Sequence, residues 1–177
     1  MKKIVFVGFL CISISSIGQV FNTASTLKPG SFSLGFDPAY YNDDLAFFFH
    51  GGMGILPGVD FALKYGIVEG DDYFGGDLEW KLTPAKPAVS LVTGGHVETH
   101  FGLDAGLSLS FPVKKGIDVF TGGDSDINFN DDIDLLLWIP IGVEIKLRKR
   151  MALIFEGEIP LTEPANPILD GGITLYF

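Results

Sequence analysis

The chain has 177 residues, 47% of them hydrophobic with mean hydropathy +0.34, yet it carries 22 acidic against 12 basic side chains for a formal charge of -10. So acidic a surface repels phosphate backbones, which excludes nucleic acid as a partner class. A single cysteine excludes a disulfide framework, and 23 glycines with 10 prolines spread along the chain argue against long helices.

The amino terminus opens with Met1, Lys2 and Lys3, continues as an apolar run over residues 4–17, and reaches the small residues Ser16 and Gly18 just before Gln19. Basic, then apolar, then small is the order of a secretory signal peptide, so residues 1–18 are expected to be removed, leaving one domain over 19–177. The run is shorter than the roughly 20 residues of a spanning helix. Cys11 follows Leu10 where a lipidation site needs a small residue. The processed chain then holds no cysteine, and its charge rises to 10 basic against 22 acidic residues. Its stability must come from burial and backbone pairing.

From there the chain reads as strands of period two. After a polar leader ending in Pro29-Gly30, residues 31–37 place Phe32, Leu34 and Phe36 on one face, and Pro38 is expected to stop the strand. Residues 45–56 carry Phe47, Phe49, Met53 and Ile55 at even spacing, and Pro57-Gly58 turns the chain. Residues 59–67 alternate most clearly, Val59, Phe61, Leu63, Tyr65 and Ile67 against Asp60, Ala62, Lys64 and Gly66. Residues 73–82 oppose Phe74, Leu78, Trp80 and Leu82 to Asp77, Glu79 and Lys81, and 88–94 form a weaker fifth strand.

Residues 101–111 set Phe101, Leu103, Leu107, Leu109 and Phe111 against Gly102, Asp104, Gly106 and two serines. Residues 117–127 follow, losing apolar character toward a stretch, 124–134, that reads as an acidic loop. Residues 135–147 carry Leu137, Ile139, Ile141, Val143, Ile145 and Leu147 on one face and Glu144 with Lys146 on the other. Residues 151–161 oppose Leu153, Phe155, Ile159 and Leu161 to Glu156 and Glu158. The last strand, 170–177, alternates Gly171, Ile173, Leu175 and Phe177 with Asp170, Gly172, Thr174 and Tyr176, and ends on the aromatic itself.

The strands number about ten, or eight if the first and fifth are counted as loops. Alternation alone fits a β-sandwich as well as a barrel. Three features favour a barrel in lipid. Aromatics such as Phe32, Phe47, Tyr65, Phe74, Trp80, Phe101, Phe111, Phe155 and Phe177 sit near strand ends on the apolar face, as girdles do at lipid interfaces. The turns after even strands are short and mostly basic (Lys86; Lys114, Lys115; Arg148, Lys149, Arg150), whereas the other connections are acidic and read as longer loops. The face opposite the apolar one is regularly rich in glycine and charge. Hydrocarbon tolerates no free sheet edge, so the last strand is expected to pair with the first.

The carboxyl-terminal pattern Asp170, Gly172, Leu175, Phe177 resembles the assembly signal that closes bacterial outer-membrane barrels. With the signal peptide, the alternating strands and the basic turns, nearly the whole processed chain resembles a small outer-membrane β-barrel protein of Gram-negative, Bacteroidota-like bacteria. The resemblance implies an all-β, closed, antiparallel up-and-down transmembrane barrel in the cell outer membrane, with both termini periplasmic. Its implied partners are outer-membrane lipid and the barrel-assembly machinery, through the last strand. It carries no functional residues with it.

No residue is assigned a catalytic, cofactor-binding or metal role. The polar face gathers Asp60, Asp77, Glu79, Asp104, Asp118, Glu144, Glu156 and Glu158 against Lys64, Lys81 and Lys146. Such a lumen reads as plugged by salt bridges and hydrogen bonds, or else as a narrow cation-preferring channel. His96, Glu98 and His100 share a side if extended, but read as loop residues without the helical spacing of a zinc-protease motif. The stretch from Asp124 to Leu135 resembles the start of a calcium loop, with Phe129 where glycine belongs and Leu135 where the bidentate glutamate belongs. It reads as a solvated loop. His50, among glycines, points inward as a packed polar group. Serines and histidines exist, but no nucleophile and base can be assigned, so a non-enzymatic role in envelope structure or surface interaction is expected. A secreted β-sandwich binding module is the remaining alternative.

Overall fold

The computed structural model describes residues 23–41, 44–68, 72–130, 133–163 and 165–177, so the signal segment 1–18 lies outside the described residues. Ten antiparallel strands follow one another: β1 (Phe32–Tyr41), β2 (Asp44–Leu56), β3 (Val59–Ile67), β4 (Asp72–Lys81), β5 (Ala88–Val97), β6 (Phe101–Lys114), β7 (Ile117–Phe129), β8 (Ile133–Arg148), β9 (Met151–Pro160) and β10 (Ile168–Tyr176). Each pairs with its sequence neighbours, and β10 pairs with β1 to close the barrel. Leu34 stands opposite Leu175 and Phe36 opposite Ile173 at this seam. The terminal residue is its last rung: Phe177 N–H donates to the Phe32 carbonyl at 2.8 Å and Phe32 N–H to the Phe177 carbonyl at 3.3 Å. Closure rules out the two-sheet sandwich. It also satisfies the backbone of every strand without a free edge.

Parity sorts the side chains into two environments. Leu34, Phe49, Leu63, Phe74, Leu107, Leu135, Ile141, Phe155 and Leu175 are exposed on the outer surface. Outward aromatics gather toward the ends: Phe32, Phe111 and Phe177 near the short turns, Tyr40, Phe74, Phe101 and Phe129 near the opposite rim. Phe101 and Phe129 stack at 5.9 Å, and Phe36 packs against Phe49 at 5.1 Å. No lysine or arginine points outward between the strand ends among the described residues. Two outward hydroxyls are already satisfied, Thr121 Oγ1 donating to the Pro140 carbonyl at 2.9 Å and Ser125 Oγ to the Ala105 carbonyl at 2.7 Å. Neither hydroxyl therefore calls for water on the outer face.

Several strands run further than apolar alternation predicts. β1 continues through Pro38 to Tyr41, β5 reaches Val97, and β7 extends to Phe129. Pro38 lies opposite Phe47 on β2, while the register with β10 skips from Phe36 to Ala39, so its missing N–H falls in that gap. Most connections at the acidic rim are correspondingly short, not the long loops expected: that between β5 and β6 is residues 98–100, while 161–167, between β9 and β10, is the longest. The physical reason is the lumen, where acids and glycines inside a strand cost it no pairing.

Candidate functional site in the barrel lumen

Asp37, Asp77, Glu79, Asp104, Asp124, Asp126, Glu144, Glu156, Glu158 and Asp170 are all buried in the interior, where Lys64 is the one buried lysine among the described residues. The pleat puts them there: outside β9, where Glu156 and Glu158 follow Ala152 and Ile154, each shares inward parity with glycine or serine along its strand. Glycine supplies the room. A Cβ at Gly35 would lie 2.0 Å from the His50 ring, at Gly172 1.8 Å from Asp37, and at Gly102 2.4 Å from His96.

The registers set carboxylates directly opposite one another in four places: Asp60 with Glu79, Asp104 with Asp126, Asp118 with Glu144, and Glu156 with Asp170. Like charges in that position repel. Three of the pairs meet a donor from the chain itself. Lys146 Nζ bridges Asp118 at 2.8 Å and Glu144 at 3.0 Å, and Tyr176 OH donates to Glu144 at 3.2 Å. His96 Nδ1 lies 2.6 Å from Asp104 Oδ1, with its Nε2 3.2 Å from Asn128 Oδ1. The Leu27 amide donates to Asp60 at 2.7 Å. Between pairs, Lys64 Nζ stands 2.8 Å from Asp77 and His50 Nδ1 2.5 Å from Asp37.

Both ends of this polar layer are filled. Toward the acidic rim, Phe48, Tyr73, Ala39, Ala46 and Ile168 form one buried apolar cluster, and Leu136, Trp138 and Ala165 another. Tyr73 meets Phe48 edge-on at 5.7 Å and stacks on His96 at 5.3 Å, while Trp138 Nε1 donates to the Asn166 carbonyl at 2.9 Å. At the other end the leader enters the mouth. Ala24 is fully buried, Ser110 Oγ donates to the Thr23 carbonyl, and Gly30 N–H donates to the Gly54 carbonyl at 2.9 Å. Between leader and charges lies a cavity of about 70 Å³ lined by Ser33, His50, Asp60, Lys64, Asp77 and Glu79, room for a few waters.

The sequence-derived candidates are redistributed. The eight acids and Lys64 of the polar face do point inward, as does His50. His96 is not a loop residue: it is buried in β5, away from Glu98 and His100 in the connection that follows, so these three do not form a ligand set. Asp124, Asp126 and Asn128 are not in a solvated calcium-type loop but are buried in β7. Asp37 and Asp170 join the interior network without having been counted in it; their parity with Gly35 and Gly172 is the signal that marks them. The inward apolar residues Phe48, Phe120 and Trp138 carried no such signal, because each lies next to outward apolar residues in sequence.

No family model matches the chain, and no curated protein matches it by sequence. Among solved structures, the KdgM porin is similar over 82% of this chain and 99% of its own, at 7% identity and a TM-score of 0.54. Omp33 of Acinetobacter baumannii covers 84% of this chain with 98% of its own, at 7% identity and a TM-score of 0.47. The N-terminal barrel of Pseudomonas aeruginosa OprF covers 85% with all of its own, at 12% identity and a TM-score of 0.45. At such identities the likeness to KdgM is one of fold: the two chains share a β-barrel architecture.

Proposed function

We propose that this chain is an integral barrel of a Gram-negative outer membrane, working in envelope structure or through its acidic rim, with a lumen closed to solutes. The observation that carries the reading is the pairing of a closed cylinder, apolar all round its outside, with an interior filled by side chains. Apolar residues so widely exposed would be a liability in water. In lipid they are the required surface.

Both termini leave the barrel at the end that carries Lys114, Lys115, Arg148, Lys149 and Arg150. The short basic turns fit the periplasmic side and the acidic connections the cell exterior. The final strand, ending as the closing rung at Phe177, fits recognition by the barrel-assembly machinery. Neither a nucleic acid partner nor an enzymatic activity is part of this reading, since most of the lumen's acids are buried.

The test is electrical. Purified protein in a planar lipid bilayer is expected to give no stepwise conductance, because the cavity between leader and charged layer holds only a few waters and the acidic-rim end is packed by Phe48, Tyr73, Leu136 and Trp138. Cation-selective unit steps would replace this reading with that of a small channel, which the acidic lining would favour.

A further inference from the structure

Of the four opposed carboxylate pairs, Glu156 with Asp170 is the one that meets no lysine, histidine or leader amide. Glu158, two residues along β9 and opposite Ile168, joins it. One oxygen from each of the three carboxylates lies within 4.8 Å of the others. All three side chains are buried, at 3%, 3% and 5% exposure. The Glu156 amide is the one donor that approaches Asp170, without forming a well-aligned hydrogen bond, and Oε2 of Glu158 has no donor. Glu156 and Glu158 share a side-chain hydrogen bond, which leaves Asp170 and the far oxygen of Glu158 as the buried carboxylate oxygens whose isolation is costly. The other charges acting on the group are Asp37 and Asp124, both negative, and Lys64, which is engaged with Asp77.

We infer that Glu156, Glu158 and Asp170 form a binding site for a hard divalent cation of calcium size inside the barrel wall. Three oxygens within 4.8 Å of one another lie at most about 2.8 Å from a common centre, so an inward shift of a few tenths of an ångström brings all three into the calcium range. An all-carboxylate set suits calcium better than the softer-ligand metals. A cavity of about 20 Å³ lined by Ser108, Asp124, Pro140 and Glu156 borders the cluster, offering space for an ion or a water. The ion plays there the part that Lys146 plays between Asp118 and Glu144: it pins β9 to β10, next to the seam that closes the barrel. The inference rests on the barrel fold and not on its compartment.

The probe is Ca²⁺ itself. Full-length processed protein is refolded in detergent with Ca²⁺ or with EDTA, desalted, and analysed for bound calcium and thermal unfolding. One calcium per barrel is expected, with a higher Tm than the EDTA sample, since an ion that binds only the folded state stabilises it. Asp170→Asn should lose the calcium and the Ca²⁺-dependent Tm rise while raising the Tm in EDTA, because it relieves repulsion. Asp126→Asn, in the group that His96 serves, should keep both calcium responses. Failure of the folded wild-type barrel to retain calcium or shift its Tm in millimolar Ca²⁺ overturns the proposal, as does binding that survives Asp170→Asn.

Discussion

Lys64 Nζ lies 2.8 Å from Asp77 Oδ2 across the β3–β4 pair, and both side chains are only 5% exposed. This is an ion pair with both partners buried beside the small cavity under the leader. Lys64 is also the one buried lysine among ten buried acids. Its positive field acts on Asp37, Glu79, Asp104 and Glu156 besides Asp77.

Lys64→Met therefore strands Asp77 and removes the shared counter-charge. Breaking a buried pair from one side costs about 3–5 kcal/mol, and urea unfolding in detergent is expected to show a loss of that size. Lys64→Met with Asp77→Leu should recover part of it. A double mutant no better than the single would mean that the lysine's other neighbours, not Asp77, dominate.

The outward face gives a prediction of opposite character. Leu107 lies midway along β6 and is 44% exposed. Leu107→Arg should cost about 2–4 kcal/mol for folding into phospholipid vesicles, the penalty of a cation facing the bilayer midplane. Equilibrium folding into vesicles measures it; an unchanged midpoint would mean that this surface meets water.

Inward glycines that receive a neighbour's ring should be intolerant of a single added carbon. A Cβ at Gly142 would lie 2.2 Å from Phe120 Cζ and 2.6 Å from the Phe155 carbonyl oxygen, whereas one at Gly123 meets nothing within 4 Å. Gly142→Ala is expected to lower stability by about 1–3 kcal/mol through overpacking. Gly123→Ala, on the outer face, should leave it nearly unchanged. Comparison of the two midpoints in one denaturant series decides.

Period-two patterning carried nearly all of the architecture, since lipid outside and polar groups inside demand opposite things of alternate residues. Strand number, the β1–β10 seam and the inward charges all follow from it. It failed where the lumen itself sets the rule. Asp124 and Asp126 look like loop residues because their outward neighbours are Gly123 and Ser125, and a weak outer face reads as no face. His96 suffered likewise from Gly95, its outward neighbour. The carboxylate cluster was out of reach for a different reason: Glu156 and Asp170 are 14 positions apart, and only the β9–β10 register makes them opposite.

Nor could the sequence show the leader's place in the mouth. Residues 23–31 are short and polar, but the Leu27 amide reaches Asp60 and Thr23 reaches Ser110. Deleting the processed chain through Lys28 should leave a barrel that still migrates as folded, with a lower Tm. In that background Ser33→Cys, which lines the 70 Å³ cavity, should react faster with a water-soluble maleimide than in the full-length chain. Equal rates would show that the leader does not guard the cavity.

The membrane reading itself is tested most directly by fractionating the envelope of cells making the full-length chain and running the outer-membrane fraction on a gel with and without boiling. The protein is expected to sediment with the outer membrane, resist carbonate extraction, and migrate faster before boiling than after, as a closed barrel does until heat opens it. Recovery in the soluble fraction, with no change of mobility on boiling, would contradict it.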